Sequence, residues 1–416
     1  MEYKNVKIKD VVTILGDGIH GTPEYDPKGE YYFINGNNLC DGKIIIKPDT
    51  KRVNSKEYEK YKRILNDRTL LVSINGTLGN IASYNNEKCI LGKSACYFNI
   101  KSNVNKNFIK YILYSSDFQK YMREYATGTT IKNMSLKAIK EYEFKLPEIN
   151  IQNKIEHILS KIDKKIELNN KINYNLHSIA NQLFKNWFIN FNYPGNDGKM
   201  KKSHCGEIPE KWHISKLNEI ADCQNGYAFY KDGYDENGIM VIDLGNVNLN
   251  GTFVYTNADK YILPNRIKAE KFNKYKVYKN DLIMVMTDRK STMELLGKTG
   301  KIFENKEFLL NQRMYRIRSK INTNYLYTAL NNDIILNKLK GKALGSVQKY
   351  INTGHINELE LVIGTDEIME KFSQIVDPIY AEIESRTIEN TKLEKLRNIL
   401  LPKLMNGEID LDKIEI

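Results

Sequence analysis

The sequence predicts an α+β protein built as a tandem duplication, in which two similar globular domains each run into a long helix and the two helices form a coiled coil. The first observation is a heptad seam. Alternate steps of four and three from Ile155 land on Leu159, Ile162, Ile166, Asn169, Asn173, Leu176, Ala180, Leu183 and Trp187. The same walk from Phe372 lands on Val376, Ile379, Ile383, Arg386, Asn390, Leu393, Arg397, Leu400 and Leu404. The second observation is the shared offset: 372 minus 155 and 404 minus 187 are both 217, and both seams turn polar at their fifth and sixth positions. A polar layer in a seam costs stability and fixes register and partner, so the two helices are expected to pair with each other. Two unrelated amphipathic helices would not share a polar register. The pattern alone sets no direction, because a central polar pair matches itself in parallel and in antiparallel pairing.

Composition bounds the rest. The chain has 416 residues, enough for about two or three domains. A hydrophobic fraction of 41% with 27% charged residues suits a soluble protein, and 63 Lys plus Arg against 51 Asp plus Glu give a formal charge of +12. That balance favours a polyanionic partner. MEYKNVKIKD contains no apolar signal core, and no 18-residue apolar run follows, so a cytoplasmic, membrane-free protein is expected.

Taken in order, residues 1–150 read as a mixed α and β domain. NVKIKDVVTILGDG opens with a short amphipathic turn ending at Gly16 and Gly18, and strand-like runs follow at Tyr31 to Ile34, Lys43 to Ile46 and Leu70 to Ile74 between turn residues. NVNKNFIKYILYSSDFQKYMREYA has helical spacing through Phe108, Ile112, Phe118 and Met122 and stops at Gly128. A polar loop, a short helix and a strand ending at Pro147 lead into the first long helix, 151–195. The second domain and its linker occupy 196–364 and repeat this order. IPEKWHISKLNEIA matches the opening, KNDLIMVMT matches DRTLLVSIN, Leu309 to Ile317 echoes Ile90 to Phe98, Ile321 to Leu339 is helical, and Gly345 stands at Gly128 plus 217. The linker is placed at Asn192 to Lys211, and the second long helix occupies 365–416.

No catalytic constellation stands out. The five cysteines contain no C-x-x-C pair. His204 and Cys205 are adjacent, but in the linker and without two further ligands in view, so no metal site is expected. GKS at Gly92 to Ser94 and GKT at Gly297 to Thr299 lack the upstream glycine of a phosphate loop, since Glu87 and Thr292 stand there. No G-x-G-x-x-G follows a strand, and no Asn-Pro-Pro-aromatic box is present. A Mg²⁺ nuclease set could be drawn from Asp288, Glu304 and Lys306, with Asp288 at a strand end and Glu304 to Lys306 in E-x-K spacing. A strand-end Asp and a solvated turn explain the same residues, and the first half has Asn75 where its strand ends.

The duplicated layout, the IPEKW opening, LPEINIQNKIEHILSKIDKKIELNN, IANQLFKNWF and the closing LRNILLPKLMNGEI together resemble the specificity subunit of type I restriction-modification systems. The resemblance covers nearly the whole chain and is strongest over 144–190, 207–221 and 365–410. It implies two target recognition domains, each reading one half of a split DNA sequence, held apart by long helices that pair antiparallel and dock two modification (methyltransferase) subunits. Restriction subunits would complete an ATP-driven nuclease. The resemblance implies no catalysis and no cofactor in this subunit: S-adenosylmethionine, ATP and Mg²⁺ belong to the partners.

On this reading the apolar helix ends, Leu183, Phe184, Trp187 and Phe188 with Leu400, Leu401, Leu404 and Met405, are candidates for the methyltransferase docking surface. Packing against their own domains is the structural alternative, and Pro402 is expected to kink the second helix. Candidate DNA contacts are polar loop residues at matching places. Asn75, Gly76 and Thr77 correspond to Arg289, Lys290 and Ser291, and Thr129, Thr130 and Lys132 correspond to Ser346, Gln348 and Lys349. Asn, Gln and Arg can make paired bonds to base edges, while Lys mainly meets phosphate. A seam of about 33 residues is roughly 50 Å long, or roughly 15 base pairs. The competing function is an interaction scaffold that binds no DNA and carries its charge for solubility.

Overall fold

The sheets of both halves are built from apolar runs whose alternate side chains go to opposite faces, both of them covered. These runs are seen in a computed structural model that describes residues 3–40, 42–128, 132–229, 233–256, 258–288, 292–346 and 348–411. The chain divides into two units, Met1–Ile166 with Lys392–Ile416, and Glu167–Thr391.

In the first unit a four-stranded sheet has the order Val12–Asp17, Ala95–Ile100, Thr69–Ser73, Ile81–Ser83. Leu70, Val72, Cys96 and Phe98 face one core, where they meet Phe108, Ile112, Phe118 and Met122 of the helices. Leu71, Ala95 and Tyr97 face a second core. A smaller sheet orders Arg52–Val53, Tyr31–Ile34 and Cys89–Leu91, with the last pair parallel. Tyr3–Lys7 pairs with Glu143–Pro147 and so ties the start of the chain to the strand that feeds the first long helix.

The second unit repeats this plan, with a fourth strand in its smaller sheet. Its main sheet runs Ala221–Asn225, Met314–Ser319, Leu282–Val285, Thr299–Lys301, and its smaller sheet contains the parallel pair Ile239–Ile242 and Phe308–Leu310. His213–Lys216 pairs with Glu360–Ile363. Trp212 of the IPEKW opening is buried and stacks on Tyr193 with ring centroids 4.7 Å apart.

Three details depart from the sequence reading. The helical span after Asn105 is two helices, Lys106–Tyr114 and Ser116–Tyr125, because Ser115 turns extended and its hydroxyl accepts from the Phe118 N–H. Asn332 breaks the second half in the same way, between Thr323–Asn331 and Asp333–Lys340. The linker also contains a hairpin, Met200–Ser203 with Gly206–Pro209.

The long helices are Ile149–Phe184, continued by a π-helical turn over Lys185–Ile189, and Asp366–Met405. The second runs on through Pro402, which lies near its end and whose carbonyl still accepts from Asn406 N–H at 2.9 Å. The helix is not ended by this proline, because losing one amide donor in a last turn leaves little of the helix to disrupt.

Within the second unit the helices pair antiparallel. Asn169 meets Asn390 and Asn173 meets Thr387, so one number rises as the other falls. Within the first unit the Arg397 guanidinium meets the Asp163 carboxylate at 2.7 Å, continuing the same trend. Asn169 is fully buried and Asn173 and Asn390 nearly so. The polar positions of the two seams therefore do face each other.

The apolar helix ends are otherwise engaged. Phe184, Trp187 and Phe188 are at most 4% exposed, packed in the second unit's core with Phe372 and Tyr325, and Leu183 lies against that core. Leu401, Leu404 and Met405 are buried in the first unit's core, with Leu400 packed against it. Six of these eight side chains fill cores of their own chain, and Leu183 and Leu400 are half-buried against those cores, which is the packing alternative to an exposed docking face. The heptad pattern gives the apolar stripe but not what covers it.

Candidate nucleic-acid interface

In the first unit the strand Thr69–Ser73 runs out into the loop Asn75, Gly76, Thr77, whose turn needs the positive φ of Gly76, +73°. A second segment is stitched to this strand end. Thr127 and Asn133 exchange backbone hydrogen bonds at 2.9 and 2.8 Å, Met134 N–H donates to the Ile74 carbonyl at 2.8 Å, and Gly76 N–H donates to the Lys132 carbonyl at 3.1 Å. The Asn75 side-chain amide reaches Asn133 Oδ1 at 3.4 Å. Met134 is buried and anchors the segment from below, while Gly76, Thr77, Lys132 and Asn133 are exposed.

The second unit builds the same junction from different residues. Leu344 and Tyr350 exchange backbone bonds at 2.8 and 3.0 Å, Ile351 N–H donates to the Met286 carbonyl at 2.9 Å, and Thr287–Asp288 pairs with Lys349–Tyr350. Gly345 turns at φ +89° as Gly128 does at +98°, and buried Ile351 replaces Met134 as the anchor. Ser346 is exposed and Gln348 and Lys349 are partly so. The sequence matched these loops between the two halves by position. The backbone ladder joins the two loops within a half, since Asn75 and Asn133, 58 apart in number, share one bridge. Of the other candidates, Thr129, Thr130, Arg289, Lys290 and Ser291 lie outside the described residues.

A third segment joins both junctions and was missed from the sequence. Ile74 N–H donates to the Ser94 carbonyl at 2.9 Å, and Met286 N–H to the Arg313 carbonyl at 3.0 Å. Each belongs to a tight turn before a central strand, closed by Ala95 to Gly92 in one half and Met314 to Asn311 in the other. Exposed Lys93, exposed Gln312 and partly exposed Arg313 thus stand beside the loop residues. The signal was the GKS fragment itself. It fails as a phosphate loop, and Gly92 serves close packing instead, since a Cβ there would lie 2.2 Å from Asn35 Oδ1.

The nuclease set does not assemble. Asn280 N–H bonds the Ile302 carbonyl, which puts Glu304 at one end of the strand Leu282–Val285, while Asp288 lies beyond the other. At about 3.3 Å per residue the two carboxylates are on the order of 20 Å apart. Buried Asp288 accepts from Leu295 N–H at 2.8 Å, and Glu304 pairs with Lys306. Their roles are to hold turns.

Residues 1–178 and 209–395 match the model of the type I restriction modification DNA specificity domain. The chain belongs to this family. As one of its members it is 25% identical over 416 residues to the type I restriction enzyme MjaIX specificity subunit of Methanocaldococcus jannaschii, covering 98% of this chain and 94% of that one. It is 23% identical over 367 residues to the HindI specificity subunit of Haemophilus influenzae, covering 73% and 77%. A crystal structure of a type I restriction-modification S subunit from M. genitalium aligns over 97% of this chain and 96% of that one, with 17% identity and a TM-score of 0.49. The two matched segments contain the two loop junctions, one each. Among the described residues no helix of this family member is long and apolar enough to cross a membrane.

Proposed function

We propose that the chain is the non-catalytic, sequence-reading subunit of a type I restriction-modification complex, with each loop junction reading one half of a split DNA target. The observation that carries this reading is the repeated junction: one backbone frame, built twice, presents Asn75, Thr77, Lys132 and Lys93 in one unit and Ser346, Gln348, Lys349, Gln312 and Arg313 in the other. A constant frame with changed side chains is what two half-sites of different sequence require. The target is accordingly asymmetric. The long helices dock two modification subunits, and restriction subunits join that complex. S-adenosylmethionine, ATP and Mg²⁺ act on those partners. Docking uses exposed helix positions and not the buried apolar ends, with Leu168, Tyr174 and Ile179 on the first helix and Leu396 and Ile399 on the second as the apolar contacts.

The test is DNA affinity of the assembled complex as a function of salt, on a library of sequences. A reader loses affinity steeply as salt rises and keeps a preference for a split motif. Affinity without sequence preference at every salt concentration refutes the reading.

A further inference from the structure

The linker hairpin carries at its tip two side chains that the sequence left without partners. Ser203 pairs with Gly206, so His204 and Cys205 form the two-residue turn, and Gly206 at φ +105° allows that tight reversal. The tip lies against the first residue of the strand Glu360–Ile363. His204 Nε2 is 2.8 Å from Glu360 Oε1, and Cys205 Sγ is 3.2 Å from Glu360 Oε2. Glu360 itself is fixed by its pairing with Lys216 and by the Leu217 N–H to Leu359 carbonyl bond at 2.9 Å. One nitrogen, one sulfur and one carboxylate oxygen thus converge from two segments some 155 residues apart, all within 4.8 Å of one another.

We propose that His204, Cys205 and Glu360 bind a divalent cation of the zinc type, which clips the linker hairpin to the strand leading into the second long helix. Imidazole, thiolate and carboxylate are the donors zinc accepts, and four-coordinate bonds of about 2.0–2.3 Å place neighbouring donors roughly 3.5 Å apart. The present spacing needs only small side-chain adjustment. The mixed donor set disfavours Mg²⁺ and Ca²⁺, which take oxygen ligands. The tip is exposed and three protein donors converge among the described residues, so water completes the shell. On binding, the Cys205 thiol proton goes to solvent and the thiolate takes its place beside the metal. The short turn and paired strand set the ligand positions in advance, and the metal joins the two segments at the point where His204 and Cys205 already meet Glu360.

The test titrates the full chain, without a polyhistidine tag and under reducing conditions, with Co²⁺ and then Zn²⁺. One equivalent of Co²⁺ should give the visible bands of a four-coordinate site with a thiolate-to-cobalt charge-transfer band, which Zn²⁺ bleaches. C205S should remove the charge-transfer band, and H204A and E360Q should each weaken binding at least about tenfold. C40S, at an exposed cysteine elsewhere, should change nothing. Zinc should also slow proteolytic nicking at the hairpin in the native chain but not in E360Q. Absence of saturable binding, a charge-transfer band that survives in C205S, or unchanged affinity in H204A and E360Q would each overturn the proposal.

Discussion

Asn169 donates from its side-chain amide to Asn390 Oδ1 at 2.9 Å across the paired long helices, and the Arg386 guanidinium donates to Asn169 Oδ1 at 3.1 Å. Glu389 accepts from Asn169 at 2.7 Å, and Asn390 donates to Asn170 at 2.8 Å. Asn169 thereby uses both amide hydrogens and its oxygen on the facing helix, and Asn390 its oxygen and one amide hydrogen. Asn169→Leu alone removes the partner of Asn390 Oδ1 and of Arg386 Nη1 on the facing helix, and should cost about 1–3 kcal/mol. Leucine at both 169 and 390 should recover much of that loss. A double-mutant cycle from denaturant unfolding of the full chain reads the coupling.

His177 gives the chain an acid-sensitive point. It is buried on the first long helix between Tyr327 and Tyr380, with ring centroids 5.9 and 5.7 Å away, and its Nε2 has no hydrogen-bond partner among the described residues. Burial holds the imidazole neutral, lowering its pKa from 6.5 to about 4. Unfolding lets it take up a proton at the ordinary value. The stability it permits is therefore complete above pH 6.5 and is lost as pH falls towards 4, by up to about 3 kcal/mol. His177→Phe should flatten the stability profile in that window, as followed by thermal unfolding at stepped pH.

Phe184 and Trp187 should behave as core residues. Alanine at either should lower stability by about 3–5 kcal/mol, with a clear fall in the unfolding midpoint. Alanine at exposed Leu396 or Ile399 should change stability by no more than about 0.5 kcal/mol and weaken capture of a modification subunit. Pull-down beside calorimetry separates the two classes.

The duplication, the two long helices and their polar layer were legible because they rest on periodicity, which is local. Asn169, Asn173 and Asn390 stood where the walk put them. What covers each stripe was not legible: the same spacing serves Phe184 against Phe372 in a core or against a partner's surface. The Ser115 break was hidden because Phe108, Ile112, Phe118 and Met122 keep helical spacing across it. The loop junctions depend on bridges between distant residues, Asn75 with Asn133 and Thr287 with Tyr350, which no window contains. Glu360 could not be joined to His204 and Cys205 for the same reason.

Lys93 and Arg313 should separate phosphate contact from base readout. Lys93→Ala should weaken DNA binding similarly for all sequences and reduce the salt slope by about one. Arg313→Ala should cost about 1–3 kcal/mol on the preferred sequence and relax the preference in one half of the target only. Equilibrium binding by the assembled complex to matched and mismatched duplexes distinguishes these outcomes.

The central claim, that two differently furnished copies of one junction read two halves of a DNA target, is tested most directly by mapping methylated adenines. The chain is co-purified with its cognate modification subunit, incubated with unmodified DNA and S-adenosylmethionine, and the product is sequenced for methylation. The account predicts an asymmetric motif in two parts with a fixed gap, one part of which changes when the loop residues of a single unit are exchanged. A continuous motif, or one that survives exchange of both sets of loops, would contradict it.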